Sequence, residues 1–322
     1  MFDLKFNTTD LPARDRFDEW STFTDRTRIP QTLKSSDDAD FRASALVRGS
    51  TGQVVARASL RSKLLTRRTP RLIRHADPEQ YLFVSVLSGT SGVAQSGRAT
   101  VIRPGELMIL DSSYPFRAQY DGVHHVFLVD KSLVPVAPEQ VHSLLARRLP
   151  GDTGSGAVLT RCLREVSRDG GSRRPPELHR LLDVAVDLLA VLIAQELDVL
   201  PRLPPESRDR ALLARADAFV REHLGDPDLT PQNLAAAHHV SLRRLQQLLA
   251  AEGTTPAALI RTRRLERCRR ALADPRQHDR PVHAVAARWG FPDHAHFSRL
   301  FKSTYGMSPS EYRASRDLTV RG

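Results

Sequence analysis

One local pattern occurs twice in roughly the last hundred residues: a short helix, a tight turn, and a second helix with a polar, basic outer edge. The first copy, LTPQNLAAAHHVSLRRLQQLLAAEG, runs from Leu229 to Gly253. The second, VHAVAARWGFPDHAHFSRLFKSTYG, runs from Val282 to Gly306. Apolar residues recurring at i, i+3 and i+4 leave such a segment little choice but a packed bundle of short helices. A helix-turn-helix is also the arrangement in which a second helix can enter the major groove of DNA.

Helix starts and stops are written into the same stretch. Thr230-Pro231 and Thr255-Pro256 each offer an N-cap followed by a first-turn proline, and Gly225, Gly253 and Gly306 end helices. Ser308-Pro309-Ser310-Glu311 reads as a capping box. In the helix expected over 242–251, Leu245, Leu248 and Leu249 fall inward while Arg243, Gln246, Gln247 and Ala250 fall outward. In that over 294–305, Phe297, Leu300 and Phe301 fall inward, with Ala295, His296, Arg299, Lys302 and Ser303 outward. Arginine pairs with guanine edges, glutamine with adenine edges, and histidine donates or accepts. Ser241, Arg244, Ser298 and Lys302 flank these edges, where phosphate contacts position a helix. A solvated surface accounts for any one of these residues; joint placement in two units favours DNA.

Between the copies, LIRTRRLERCRRALA (259–273) reads as one spacer helix with an apolar stripe of Leu259, Leu265, Cys268 and Leu272. Its six arginines (Arg261, Arg263, Arg264, Arg267, Arg269 and Arg270) either touch phosphates or keep the spacer soluble, and the sequence leaves both open. Charge points the same way. The net charge is +11, and residues 207–322 hold 20 Lys+Arg against 12 Asp+Glu, so +8 of it lies there. Such an excess suits a polyanion through counterion release, though it also describes a merely basic surface.

The 322 residues suffice for about two domains. Cys162 and Cys268, far apart and without metal-ligand neighbours, imply neither a disulfide framework nor a zinc site. The polar N-terminus is unlike a signal peptide, and no run reaches the ~18 apolar residues of a membrane span. A cytoplasmic protein without membrane contact is expected.

Residues 41–130 read as strands: QVVARASL, YLFVSVL, ATVI, ELMIL and HHVFLV. Turn signals separate them at Arg48-Gly49, Ser88-Gly89, Ser96-Gly97, Pro104-Gly105-Glu106 and Asp121-Gly122. Short strands at this spacing suggest a sandwich or small barrel. From 137 to 200 the period turns helical. The stretch 177–200 is apolar around more than half its circumference, so it needs cover on two sides, from the barrel and a second subunit. Loops are expected at LPGDTGSG from Leu149 and DGGSRRPP from Asp169, and LPRLPPES (200–207) reads as an interdomain linker.

These residues resemble the AraC/XylS family of bacterial transcription regulators. WGFPDHAHFSRLFKSTYGMSPSEYR (289–313) is similar to the family's C-terminal signature almost position for position, and LIRTRRLERCRRAL to its linker helix. The resemblance assigns Arg243, Gln246 and Gln247 to base-facing positions in the first unit, and Ala295, His296 and Arg299 in the second. Departures are His239, where the family usually has glycine; Leu249, where phenylalanine is usual; and Cys268 for a small alanine. A non-glycine residue at 239 falls at positive φ, a cost of up to roughly 1 kcal/mol. Upstream, residues 67–122 resemble the cupin-like, AraC-binding-like sensor domain, except that Asp130-Lys131 stands where Pro-Arg is usual.

The fold implied is α+β: an N-terminal cupin-like β-barrel with helices over 1–200, a linker at 201–207, and an all-α tandem helix-turn-helix domain over 208–316. Barrel mouths commonly take small molecules, and Arg68, Tyr81, Tyr114 and Arg117 are the candidate effector contacts. No catalytic group, metal or cofactor is expected. His124 and His125 are adjacent and point to opposite faces of a strand, and His294 and His296 diverge on a helix. The resemblance implies a sequence-specific, effector-responsive activator of transcription that binds double-stranded promoter DNA and RNA polymerase as a homodimer. The alternatives are a cupin-type metalloenzyme with a DNA-binding tail and a non-specific, nucleoid-like DNA binder.

Overall fold

Among the described residues there are nine strands: β1 (Phe2–Asn7), β2 (Thr32–Ser35), β3 (Ala43–Ser50), β4 (Gln53–Arg68), β5 (Gln80–Gln95), β6 (Arg98–Ile102), β7 (Glu106–Asp111), β8 (Phe116–Asp130) and β9 (Leu149–Pro150). Burial alternates along parts of β4 and β8, while β7 is buried along nearly its whole length. The computed structural model describes residues 2–25, 29–37, 39–50, 52–168, 174–198, 203–274, 277 and 279–320. The first five residues of the loop expected from Asp169 (169–173) and the first three of the expected linker (200–202) lie outside the described residues.

All nine strands pair antiparallel in the order β1-β3-β4-β8-β5-β7-β9, with β2 on β4 and β6 on β5. That path is open, which corrects the expected closed barrel. Closure needs the two end strands to pair with each other. Here β9 is two residues long and ends in a proline without an N–H, and it pairs only with β7, while β1 pairs only with β3.

Three expected turns are not turns. Arg48-Gly49 lies inside β3, Ser88-Gly89 inside β5 and Asp121-Gly122 inside β8, whereas Ser96-Gly97 and Pro104-Gly105 do turn the chain. Gly89 (φ +83°) and Gly122 (φ +93°) face each other across β5 and β8, beside a register shift between Val86 and Ser88. A Cβ on Gly89 would collide with the Asp121 carbonyl, and one on Gly122 with that of Ser88. The glycine pair therefore bends two strands of 16 and 15 residues together, where sequence alone suggested the shorter runs YLFVSVL and HHVFLV, each bounded by a turn.

One face of the sheet carries a core of Phe41, Val84, Met108, Leu110 and Phe116, closed by Trp20 and Phe23 of α1 (Arg16–Asp25). Short helices α2 (Pro70–His75) and α3 (Pro138–His142) sit in connections. A hairpin of α4 (Gly154–Val166) and α5 (Pro175–Glu196) is tied to β3, β4 and β8 by polar contacts. Arg48 of β3 donates to the carbonyls of Val166 (3.0 Å) and Arg168 (2.8 Å), and Gln53 of β4 to the Asp183 carboxylate (3.0 Å). Every residue of 185–194 in α5 is buried within the single chain. The all-round apolar helix thus finds its cover without a second subunit.

His124 and His125 of β8 do point apart, as alternation requires. His124 Nε2 lies 3.1 Å from the Thr90 carbonyl. His125 Nε2 lies 2.7 Å from Ser167 Oγ, which itself donates to the Leu163 carbonyl (2.8 Å). The serine proton is committed to Leu163, so the histidine N–H donates to the serine oxygen. Burial, with Arg57 and Arg164 adding to it, pushes His125 down to about 3.

Helix α6 (Pro205–Glu222) begins inside the stretch expected to be a linker. It carries the boundary between two compact units, Met1–Ala211 and Leu212–Gly322. Within the first unit, Arg210 donates from Nε and Nη2 to both oxygens of Asp187, an α5 carboxylate that is 4% exposed. The second unit continues with α7 (Pro231–Ala237), α8 (Leu242–Ala251), α9 (Pro256–Leu272), α10 (Val282–Arg288), α11 (His294–Tyr305) and α12 (Pro309–Val320).

Gly122→Ala should lower the stability of the first unit by at least about 2 kcal/mol, since a left-handed φ and a backbone collision act together. Chemical denaturation checks this. His125 adds a pH signature. Its folded value lies below its unfolded one, so the unfolded chain takes up the proton first as pH falls. Stability is unaffected above about pH 6.5 and declines toward pH 3 by at most about 1.4 kcal/mol per pH unit from this group. Denaturation at pH 7 and pH 5 should show a smaller drop in His125→Leu than in the unsubstituted chain.

Candidate nucleic-acid interface

Each helix-turn-helix unit is anchored by two residues one turn apart. In α8 they are Leu245 (0% exposed) and Leu249 (5%), which pack with Ala216, Val220, Leu229 and Leu234. In α11 they are Phe297 and Phe301, both fully buried, which pack with Leu265, Cys268, Val285 and Phe291. Burying i and i+4 fixes each helix about its own axis and turns the remaining edge outward. Arg243, Gln246, Gln247, Ala295, His296 and Arg299 are all exposed. Ala250, Lys302 and Ser303 are exposed as well, while Leu248 and Leu300 are half-buried.

The flanking positions differ among themselves. Arg244 and Lys302 are exposed and Ser298 is half-buried. The Ser241 hydroxyl accepts from the Arg244 amide at 3.2 Å, so it caps α8. Asp293 does the same for α11, accepting from the His296 amide at 3.0 Å, and that bond holds its carboxyl below the usual carboxylate range. Thr230 and Thr255 cap α7 and α9. Gly306 closes α11 in the left-handed region (φ +80°), and Ser308 and Glu311 bond reciprocally, amide to side chain. The devices at Thr230, Thr255, Gly306 and Ser308–Glu311 are those expected from the residues alone, whereas the caps at Ser241 and Asp293 were not among them.

Helix α9 settles what its arginines do within the domain. Arg263 pairs with Asp217 (2.6 Å) and Glu266 (3.0 Å). Arg264 donates to the carbonyls of Leu224 (3.1 Å) and Asp226 (3.0 Å). Arg267 lies 4.9 Å from the Trp289 ring centre, and Arg269 lies 5.1 Å from that of Tyr305. Arg261 and Arg270 are exposed and make none of these contacts among the described residues. Four of the six therefore hold the spacer to its neighbours. Trp289 packs against both hydrophobic clusters, which joins the two helix-turn-helix motifs through one indole.

The two turns are unequal. In the second, Gly290 takes φ +78°, and a Cβ there would run into the Arg264 guanidinium. In the first, the equivalent residue is His239 at φ +54°, an exposed non-glycine residue in the left-handed region. Its neighbour His238 is half-buried edge-on to Phe219 (5.6 Å), and burial, with Arg215 nearby, pushes it down to about 4.

Of the four candidate effector contacts, Arg68 and Arg117 line one open cleft of about 420 Å³, and Tyr81 and Tyr114 do not join them there. Arg68 is 1% exposed and donates to the carbonyls of Ser112 (2.6 Å), Pro30 (2.7 Å) and Ala76 (2.7 Å), so its guanidinium fastens the loops below β4. Tyr81 is buried beneath Lys131, and burial raises its phenol above the ordinary range. Tyr114 is exposed against His142, and Arg117 is exposed on the outer sheet face across from Arg67. None of the four lines the cavity on the α1 side of the sheet. That cavity, of about 110 Å³, is walled by Trp20, Phe23, Leu64, Thr66, Tyr120 and His124 among others. Sequence reading missed it because its polar members lie far apart along the chain. Among the described residues, no three of His, Cys, Asp and Glu gather in a group able to hold a metal. No described helix is long and apolar enough to cross a membrane.

Comparison with known proteins places both units. The AraC-binding-like domain model matches residues 20–194, and a helix-turn-helix domain model matches 234–315. Transcriptional activator NphR of Rhodococcus sp is 34% identical over 256 residues, 76% of this chain and 73% of its own length. Transcriptional activator RhrA of Rhizobium meliloti (strain 1021) is 30% identical over 127 residues, 39% of each chain. The activator RhaS of Enterobacter sp. (strain 638) is 33% identical over 112 residues, 34% of this chain and 39% of RhaS. The crystal structure of the AraC-like activator CuxR shares the fold, with a TM-score of 0.52 at 19% identity over 82% of this chain and 94% of CuxR.

His239→Gly should stabilise the second unit. Relief of the left-handed strain, up to roughly 1 kcal/mol, is partly offset by the larger unfolded-state entropy of glycine, leaving a net gain below about 1 kcal/mol. The matched change Gly290→Ala should destabilise, and thermal melts of the two variants check the asymmetry.

Proposed function

The chain belongs to the AraC family of transcription regulators, and on that premise we propose that it reads promoter DNA with α8 and α11 together and activates transcription in response to a small-molecule effector. The observation that carries this is the shared orientation of two helices: each buries i and i+4 and presents its basic, polar edge to solvent. Arg243, Gln246 and Gln247 take the base edges of one major-groove segment, and Ala295, His296 and Arg299 those of the next. Arg244, Lys302 and Ser298 contact phosphates, and Ser241 contributes through the helix N-terminus it caps.

The sign of regulation follows the relatives, each of which bears the name of an activator. The division of labour is a sensor over 1–200, a connection at 201–207 and the DNA reader over 208–316. Contact with RNA polymerase and a homodimeric state belong to this reading by family resemblance, as does action in the cytoplasm, where promoter DNA lies. The all-round apolar α5 no longer argues for the dimer, since one chain covers it. The protein acts by binding and carries out no reaction in this reading.

Footprinting on the intergenic DNA beside its own gene, followed by competition binding, tests the proposal. Arg299→Ala should relax preference at one base pair by about 1–3 kcal/mol while leaving affinity for random DNA nearly unchanged. Equal affinity of the unsubstituted protein for promoter and random DNA would overturn sequence-specific reading.

A further inference from the structure

The cavity on the α1 side of the sheet carries an inference that deepens, and rests on, the effector-responsive reading. Three of its wall residues are buried and hold a polar atom without a hydrogen-bond partner among the described residues: Trp20 Nε1, Thr66 Oγ1 and His124 Nδ1. Their exposures are 2%, 4% and 1%. Buried polar groups are nearly always paired, so three orphans around one hole call for a ligand or for water. They come from α1, β4 and β8, which lie far apart in sequence.

The chemistry of the three is specific. The indole N–H only donates. His124 Nε2 faces a carbonyl, which only accepts, so the ring proton sits there and Nδ1 is left as a lone-pair acceptor. Burial lowers His124 from its ordinary value, against weaker opposing pulls from the Thr90 and Gly122 carbonyls and Asp121, which keeps the ring neutral. Thr66 can do either. No Lys, Arg, Asp or Glu is among the described wall residues; Thr24, Gln31 and the Tyr120 phenol are its other polar members, and the rest is aliphatic and aromatic. A volume of about 110 Å³, smaller than the roughly 150 Å³ of an apolar cavity that holds benzene, limits the occupant to one small ring at most.

We propose that this cavity binds an uncharged, one-ring molecule bearing a hydroxyl, which donates to His124 Nδ1 and accepts from the Trp20 indole, with Thr66 beside it. A carboxylate is disfavoured, because the described wall holds no cation to offset the loss of its hydration. The site lies on the opposite side of the same sheet from the exposed Arg117, which the sequence had suggested as a contact.

The test titrates full-length protein with benzyl alcohol, benzoate and toluene at millimolar concentration. Readouts are melting temperature and the two indole N–H resonances, of which Trp20→Phe identifies one. Benzyl alcohol should move the Trp20 resonance and raise the melting temperature, with benzoate at least tenfold weaker. Leu64→Phe, which puts a ring into the cavity, should abolish binding. Thr66→Val, nearly isosteric, should fold regardless and narrow the advantage of benzyl alcohol over toluene. No shift with any probe overturns the proposal. So does benzoate or toluene binding as tightly as benzyl alcohol, or unchanged binding in both variants. Binding that leaves operator affinity unchanged would instead sink the effector reading while the site stands. An effector that still alters operator affinity in Leu64→Phe would remove the site and spare the regulator.

Discussion

Two buried side chains one helical turn apart govern what the C-terminal unit offers to a partner. Leu245 with Leu249, and Phe297 with Phe301, leave each helix a single rotation about its axis. The identities of the outward residues matter only because that rotation is fixed. The two anchors are unequal in size, since leucine buries less surface than phenylalanine, and the smaller pair belongs to the unit whose turn carries His239 at positive φ. The first reading helix is therefore held by a lighter core and a strained turn. The second has two phenylalanines, a glycine turn and a reciprocal capping box behind it.

Much of this was legible in the residues because the devices are local. A threonine before a proline, a glycine after a helix and an i, i+4 apolar pair each act within a few residues, and the structure reproduces them. What could not be read was the fate of the spacer arginines. Sequence left them as phosphate contacts or solubilising charge, and four of them make contacts within the domain that neither reading named. Arg263 meets Asp217, Arg264 meets backbone carbonyls near residue 225, and Arg267 and Arg269 cover aromatic rings. Those partners lie on other elements, so no local pattern announces them.

The N-terminal unit was legible in kind and less so in detail, for a related reason. Strand composition and alternation were sufficient to expect a sheet. Glycine, however, signals a turn and a mid-strand bend in the same way, and only the facing of Gly89 with Gly122 distinguishes them. Arg68 misled similarly: a basic residue near a barrel mouth suggests a ligand contact, yet its guanidinium is consumed by three carbonyls. The orphaned polar atoms of Trp20, Thr66 and His124 surround a hole that no stretch of sequence outlines.

The bridge through Trp289 and Arg264 has a consequence for any duplex that both helices engage. An indole shared by two cores, and a guanidinium wedged between the second turn and the carbonyls of the first unit, act as a ruler rather than a tether. Inserting about five base pairs between the two sub-sites would carry one of them to the far side of the DNA, since a full turn takes 10–10.5 bp. A hinged pair of readers would absorb that change; this one can only let go of one half.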